Sequence, residues 1–443
     1  MSGFWPFLYV GIALFMLLPR WYYVEKYAVA LPFWDQWDAE GDWLLRPWID
    51  GTFHISDLWH PQNEHWLVPS HILTLVCYEL TGTWSNLTEA RVNIFLGVLT
   101  PLLLIRHLYK RNEIFGWRYL LIPLLAASVA LPFAWENMLF GFQSQFYFLC
   151  FFTLSTLLLA SRYPYVPMAI IGIVALCVLS IATMASGLLT PLVAAGIYVL
   201  HFWMLPVKRF KAMLVISILL LLVILAYFIM PYNAGHDMLH AQNGKEFILA
   251  FIRHVGWPLR ARKLFIGLIW LPGAIILFRF AILRRLTNTD ILMAGCFIWS
   301  TLQAAAMAYG RGHELGEVIS RYTDLLTLGL AGNAWFVLRW IETTDLKPKW
   351  RYLPACLAIF FFAVLFLSLI QRFTAGINSM RRSYESRSLQ QRNVGQYLRT
   401  GDNVHLQHGN IPYPDPVRLQ QLLDNPALRK ALASVDDSEA KKK

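Results

Sequence analysis

Apolar residues in this chain come in long unbroken runs, not in alternation with polar ones. A helix needs about 20 mostly apolar residues to cross the hydrocarbon core of a bilayer. Runs of that length, or close to it, fall at approximately 4–28, 88–108, 118–134, 145–161, 164–182, 188–206, 211–230, 263–283, 290–308, 322–341 and 352–372. The pattern therefore predicts an all-α integral membrane protein with about eleven transmembrane helices. The first run is interrupted by Pro19 and Arg20. It starts without a basic segment and no small-x-small site follows it, so it is expected to span the membrane and not to be a cleaved signal. Residues 66–82 (WLVPSHILTLVCYELTG) are ambiguous in length and are expected to form an interfacial or re-entrant helix.

Basic residues fix the expected orientation. One set of alternate short loops carries Arg106, Lys110, Arg111 and Arg118; Arg162; Lys208, Arg209 and Lys211; Arg279, Arg284 and Arg285; and Arg339, Lys347, Lys349 and Arg351. Loops 134–145 and 182–188 hold no Lys or Arg. The positive-inside rule places the first set in the cytoplasm. The N-terminus is then inside. Residues 29–87, 231–262, 309–321 and the tail 373–443 are outside. Counting 66–82 as a crossing would invert everything after it.

Composition narrows the class without changing it. Hydrophobic residues make up 57% and charged residues 15%. Soluble domains carry about 25% charged residues, so this chain could not cover a water-facing surface. The net charge of +11 is scattered between apolar runs, as helix-end anchors are, and does not suggest nucleic acid. The five cysteines, Cys77, Cys150, Cys177, Cys296 and Cys356, lie in or beside apolar runs without a CxxC pair and are expected to be buried thiols. In the tail, Ile411–Pro416 forms a Pro-rich turn, and a short helix is expected over Val417–Leu423.

Chemistry-bearing residues gather in the outer loops. Asp35 and Asp38 lie three apart in FWDQWD beside Trp34 and Trp37, a pattern suited to a general base next to sugar-stacking indoles. His60, Asn63, Glu64 and His65 follow in HPQNEH, expected to orient an acid or a substrate. Their spacing is no zinc signature, so no metal site is assigned, although a divalent cation is left open. Glu136 in WEN and Gln143 in FGFQSQF are polar positions among aromatics, suited to sugar hydroxyls. Arg260 and Arg262 precede one span, and Arg311 and Arg321 flank another. Arginines on the outer side run against the positive-inside tendency, and their fork geometry suits phosphate. No P-loop, GxGxxG or nucleophile elbow occurs.

The order FWDQWD, HPQNEH, WENMLFGFQSQF, then GRG and SRY near the last spans resembles the GT-C superfamily of polytopic glycosyltransferases. It is most similar to bacterial members that decorate surface polysaccharides or proteins, pilin arabinosyltransferases among them. The resemblance implies a GT-C-like bundle in the bacterial cytoplasmic membrane, a polyprenyl-phosphate-linked sugar donor and inverting transfer to an extracytoplasmic glycan or protein acceptor. It implies a catalytic Asp at Asp35 or Asp38 and donor-phosphate binding by Arg311 or Arg321, with Arg260 or Arg262. The chain departs from many members in lacking a large soluble C-terminal domain. Two other classes stay open: a polymerase or ligase using a diphosphate-linked glycan, and a lipid or solute transporter.

Overall fold

The computed structural model describes residues 5–204, 209–259, 266–313, 318–343, 352–407 and 409–432. Its helices, in chain order, are α1 (Trp5–Tyr27), α2 (Arg46–Ile49), α3 (Val68–Thr81), α4 (Asn86–Lys110), α5 (Leu121–Ala130), α6 (Trp135–Leu139), α7 (Ser144–Arg162), α8 (Pro167–Ile181) and α9 (Leu189–Met204). They continue with α10 (Arg209–Ile229), α11 (Gly244–Val255), α12 (Ile266–Ile282), α13 (Asn288–Arg311), α14 (Thr323–Thr343), α15 (Leu353–Thr400), α16 (Pro416–Asp424) and α17 (Pro426–Ala431). Among the described residues there is no β-strand, only an isolated bridge between Gln62 and His65.

Among the described residues eight helical segments are long and apolar enough to cross a membrane, so the chain is a multi-pass α-helical membrane protein. Three of the eleven expected spans fall outside that set. Helices α8 and α12 are apolar but short. Helix α14 is long enough, yet it carries Asp324, Asn333, Arg339 and Glu342. Every residue of α14 from Thr323 to Leu338 is buried. A helix shielded by protein on all sides meets no lipid, so it need not be apolar all round. At the other extreme, α10 fully buries only Ala212, Val215, Leu219 and Ala226 and turns most of the rest outward.

Helix α3 does not cross the bundle. Its 14 residues span about 21 Å, short of the ~30 Å core. Both of its ends are held on one face. Leu67 N and Val68 N donate to Thr183 O and Ala182 O, while Asn86 N donates to Ala30 O just past α1. Ser70 meets Ser144 Oγ at the start of α7. Ile72, Val76 and Leu80, spaced four apart, stay exposed as an apolar stripe, as an interfacial helix requires.

The opposite face is closed by ion pairs. Arg118 pairs with Glu113 and Glu342, and its guanidinium lies over Phe115 and Trp335. Thr287 and Asp290 form a reciprocal capping box at the start of α13. Asp290 also accepts from Trp335 Nε1 and Arg339 on α14.

The tail is more ordered than its sequence suggests. Helix α15 runs for 48 residues, about 72 Å, through the bundle and on past it. The expected helix over Val417–Leu423 forms as Pro416–Asp424, capped by Asp415. Val394, Tyr397, Leu419, Leu422 and Leu428 share one buried core with Val29, Leu31, Trp37, Leu44 and Trp84 of the first long loop. Loop and tail thus form a single layer on one face. Of the cysteines, Cys356 departs from expectation. It is exposed, on an α15 stripe with Leu353, Leu357 and Phe360.

Arg20, which breaks the first apolar run, is fully buried. It donates to Val129 O (3.1 Å) and Tyr147 Oη (2.5 Å), with the Asp324 carboxylate close enough to interact. Gly97 makes room for it, since a Cβ there would lie 2.4 Å from Nη2. Replacing the Arg20 guanidinium leaves Val129 O and the Tyr147 hydroxyl without a donor in a buried setting, which costs about 1–3 kcal/mol for each unmade bond. Arg20→Met should therefore lower the thermal unfolding midpoint of the detergent-solubilised protein sharply, whereas the exposed change Arg46→Met should not. Equal midpoints for the two variants would show that Arg20 carries no such weight.

Candidate functional site

The first loop leaves α1 with a strained turn. Trp34 has φ +50°, and its N–H donates to Pro412 O of the tail at 2.8 Å. Non-glycine residues in this region are uncommon and gather at functional sites. Asn63 (φ +52°) and Leu67 (φ +54°) border the same region. After the turn comes a π-helix, Trp37–Leu45. Its Gly41 packs so close to Trp84 that a Cβ would lie 2.6 Å from the indole.

Asp35 and Asp38, alike in sequence, have different surroundings. Asp38 is engaged by the tail: Tyr413 Oη donates to it at 2.6 Å and Arg418 Nη2 at 2.9 Å. Arg418 also binds Asp42 at 2.6 Å. Burial and the bond to Asp38 push the Tyr413 hydroxyl up to about 12. Asp35 has no such clamp. It is half-buried, and burial raises its carboxyl above the ordinary carboxylate range. Arg321, a hydrogen bond from Gln62, and His236 oppose that rise, while Asp38 adds to it.

Two loops converge on Asp35. Residues 135–137 are fastened to 320–324 by a set of bonds. Glu136 N donates to Ser320 Oγ, Ser320 Oγ and Arg321 N donate to Glu136 Oε2, and Asn137 Nδ2 donates to Arg321 O and to Asp324 Oδ2, each at 2.9 Å. The Arg321 guanidinium stands 3.7 Å from Glu136 Oε1, over the Tyr322 ring, and interacts with Asp35. Behind it, Glu64 Oε1 meets His236 Nδ1 at 2.6 Å, and Arg311 Nη2 lies 3.4 Å from that nitrogen. Asn233 Nδ2 donates to Asn63 Oδ1 at 2.9 Å, tying loop 231–240 to the HPQNEH turn.

The expected residues divide accordingly. Asp35, Glu64, Glu136, Arg311 and Arg321 lie in or against one cluster of charges. Asn63 braces it. His65 turns to Ala185, accepting from its N–H at 3.2 Å, and burial lowers its pKa. His60 packs against Trp43 in a tilted arrangement, with ring centroids 4.1 Å apart. Gln143 accepts from Gln145. Trp34 is 53% exposed and free to stack on a ligand. Trp37 corrects the expectation: it is fully buried, donates to Pro32 O and packs edge-on against Trp84, so its indole is closed to any sugar. The π-helix turned it inward with the hydrophobic core. Arg260 and Arg262 lie outside the described residues. Among the described residues no group of three His, Cys, Asp or Glu could hold a metal ion.

Sequence reasoning missed His236, Tyr413, Arg418 and Arg387. His236 stands in an ordinary polar loop, NAGHDM, and nothing local marks it. Arg418 and Tyr413 act across more than 370 residues of chain. Compared with models of protein families, with curated proteins and with solved structures, the chain matches none.

Beneath this site Glu40 is buried, with Gln36 Nε2 and Trp84 Nε1 donating to it at 2.9 and 3.1 Å and Glu89 within hydrogen-bonding distance. Burial lifts its carboxyl to about 7. The folded protein then holds a proton that the unfolded chain releases near the ordinary value of 4.5. Stability therefore falls as pH rises from 4.5 through about 7. The midpoint of thermal unfolding should fall between about pH 5 and pH 8, and Glu40→Gln should remove much of that fall. A variant with the wild-type pH profile would show that Glu40 does not carry this pH dependence.

Proposed function

We propose that this protein is a membrane glycosyltransferase of GT-C type. It moves a monosaccharide from a polyprenyl-phosphate donor to an extracytoplasmic acceptor, a glycan or a protein. Asp35 is the base, and Arg321 and Arg311 neutralise the donor phosphate. The observation that carries the reading is a half-buried carboxylate unclamped by the tail, Asp35, interacting with an arginine fixed by a neighbouring loop, Arg321.

The chemistry follows from that pair. The acceptor hydroxyl gives its proton to the Asp35 carboxylate as its oxygen bonds to the sugar C1. The C1–O bond to phosphate breaks, and its electron pair leaves with the phosphate. The added charge on the phosphate is met by Arg321, whose guanidinium is only loosely engaged by Glu136 at 3.7 Å. Burial raises the basicity of Asp35, and a base of higher pKa removes a hydroxyl proton more readily. Trp34, exposed beside it, offers an indole face to a sugar. Asp38, held by Arg418 and Tyr413, positions the loop.

On this reading the site faces away from the cytoplasm, in line with the positive-inside distribution of the basic residues. Single cysteines placed at Asp57 and Gly409 should react with an impermeant thiol reagent from outside intact cells, and one at Lys110 only after permeabilisation. Reaction at position 110 from outside would reverse the orientation.

Asp35→Asn keeps shape and polarity. It should reduce transfer ~10²–10⁴-fold while donor binding and folding persist. Arg321→Ala should weaken donor binding roughly tenfold to a hundredfold, the equivalent of one charge-assisted hydrogen bond. The acid limb of the pH–rate profile should lie above the ordinary carboxylate value, because transfer needs Asp35 ionised. Near-normal transfer by Asp35→Asn would remove this carboxylate from the chemistry.

A further inference from the structure

A cavity opens between α15 and residues 135–140. It encloses about 440 Å³, within the usual range for ligand sites. One wall is a stripe on α15: Ser379, Arg382, Ser383, Ser386, Arg387 and Gln390. The spacing, with steps of three and four, puts them all on one helical face. The other wall is Phe33, Trp135, Glu136 and Phe140. Asp35 is not among the lining residues.

The informative residue is Arg387. It is only 6% exposed, and its guanidinium carbon lies 3.5 Å from the Phe33 ring centroid and 3.6 Å from that of Phe140. Clamped between two rings, its side chain cannot leave. Its Nη2 is buried without a hydrogen-bond partner. A buried donor left unmade costs about 1–3 kcal/mol, and more when it is charged. Glu136 is the carboxylate facing it, but Glu136 Oε2 is already taken by Ser320 and Arg321 N, and Oε1 faces the Arg321 guanidinium. Arg382 adds a second, exposed guanidinium at the mouth of the cavity. Two cations against one committed carboxylate, with three serine hydroxyls between, leave a site short of one anion.

Depth narrows the anion. The apolar, outward-facing part of α15 ends near Phe373. Ser379 lies six residues on, about 9 Å along the helix, at headgroup level. Gly376 packs against Pro132 O at this height, holding α15 to the end of α5. We propose that this cavity binds the phosphate of a lipid at the membrane interface, with Arg387 Nη2 and Arg382 as donors and Ser383 and Ser386 completing the cradle. The site shares Glu136 with the Asp35 cluster but does not require that cluster to perform glycosyl transfer.

The test uses the full-length protein in nanodiscs of phosphatidylcholine, with undecaprenyl phosphate, phosphatidylglycerol and inorganic phosphate titrated separately. Binding to each is measured for wild type, Arg387→Met, Arg382→Gln and Ser386→Glu. Methionine keeps an apolar filling between the two rings, and the other two changes are on exposed positions, so at least two variants should fold. At least one lipid phosphate should bind the wild type and lose tenfold or more in affinity in all folded variants. Loss confined to undecaprenyl phosphate would make the ligand an isoprenoid phosphate, and loss confined to phosphatidylglycerol would make it a bilayer phospholipid. Wild-type affinity for both lipids in the folded variants, or binding of inorganic phosphate alone, would overturn the proposal. Asp35→Asn serves as the control that separates the two readings: it should leave this binding unchanged whether or not transfer is lost.

Discussion

The short stretch from Ser320 to Asp324 is held by Glu136 and Asn137, and much of the site hangs from that connection. An arginine side chain is long and loses considerable rotamer entropy when it is fixed. Here the backbone on either side of Arg321 is anchored first, so its guanidinium is delivered to Asp35 from a rigid base. Asn137 does two jobs with one amide, bonding the Arg321 carbonyl and the Asp324 carboxylate. Glu136 likewise joins the Arg321 cluster to the cavity under Arg387.

The anchor itself depends on polar burial in the bundle. Asp324 begins the central helix, where lipid cannot reach and water scarcely can. A carboxylate there needs a cation or donors, and Arg20 and Asn137 supply them. Tyr147 and Val129 O complete the environment of Arg20, and Gly97 gives it space. The residue that disrupts the first apolar run is thus the counter-charge of a helix more than 300 residues away. Polar residues inside a membrane protein are costly and persist where they are paired.

The face bearing the site is finished by the tail. Helix α15 carries the chain out of the bundle, and α16 returns Arg418 to Asp38 and Asp42. Pro412 O fixes the turn at Trp34, and the leucines of α16 and α17 share a core with Trp37, Trp84 and Leu45. This packing distinguishes two acids that the loop alone would leave equivalent. One is neutralised by the tail. The other remains beside Arg321 with its pKa raised by burial.

The sequence by itself determined that the chain is a helical membrane protein, because unbroken apolar runs have few other uses. It also determined where polar chemistry collects, since charged residues are excluded from lipid and so stand out in the loops. It placed Asp35, Glu136, Arg311 and Arg321 as candidates by that logic alone. Tertiary structure decided which of them meet. The inward turn of Trp37, the capture of Asp38 by Arg418, the approach of His236 to Glu64 and the burial of Arg387 between Phe33 and Phe140 all join residues distant in sequence. No periodicity records such pairings. Helix α14 shows the same limit from the other side: its polar residues weaken the membrane signal, and the enclosure of Thr323–Leu338 by protein explains how it can carry Asp324 and Asn333.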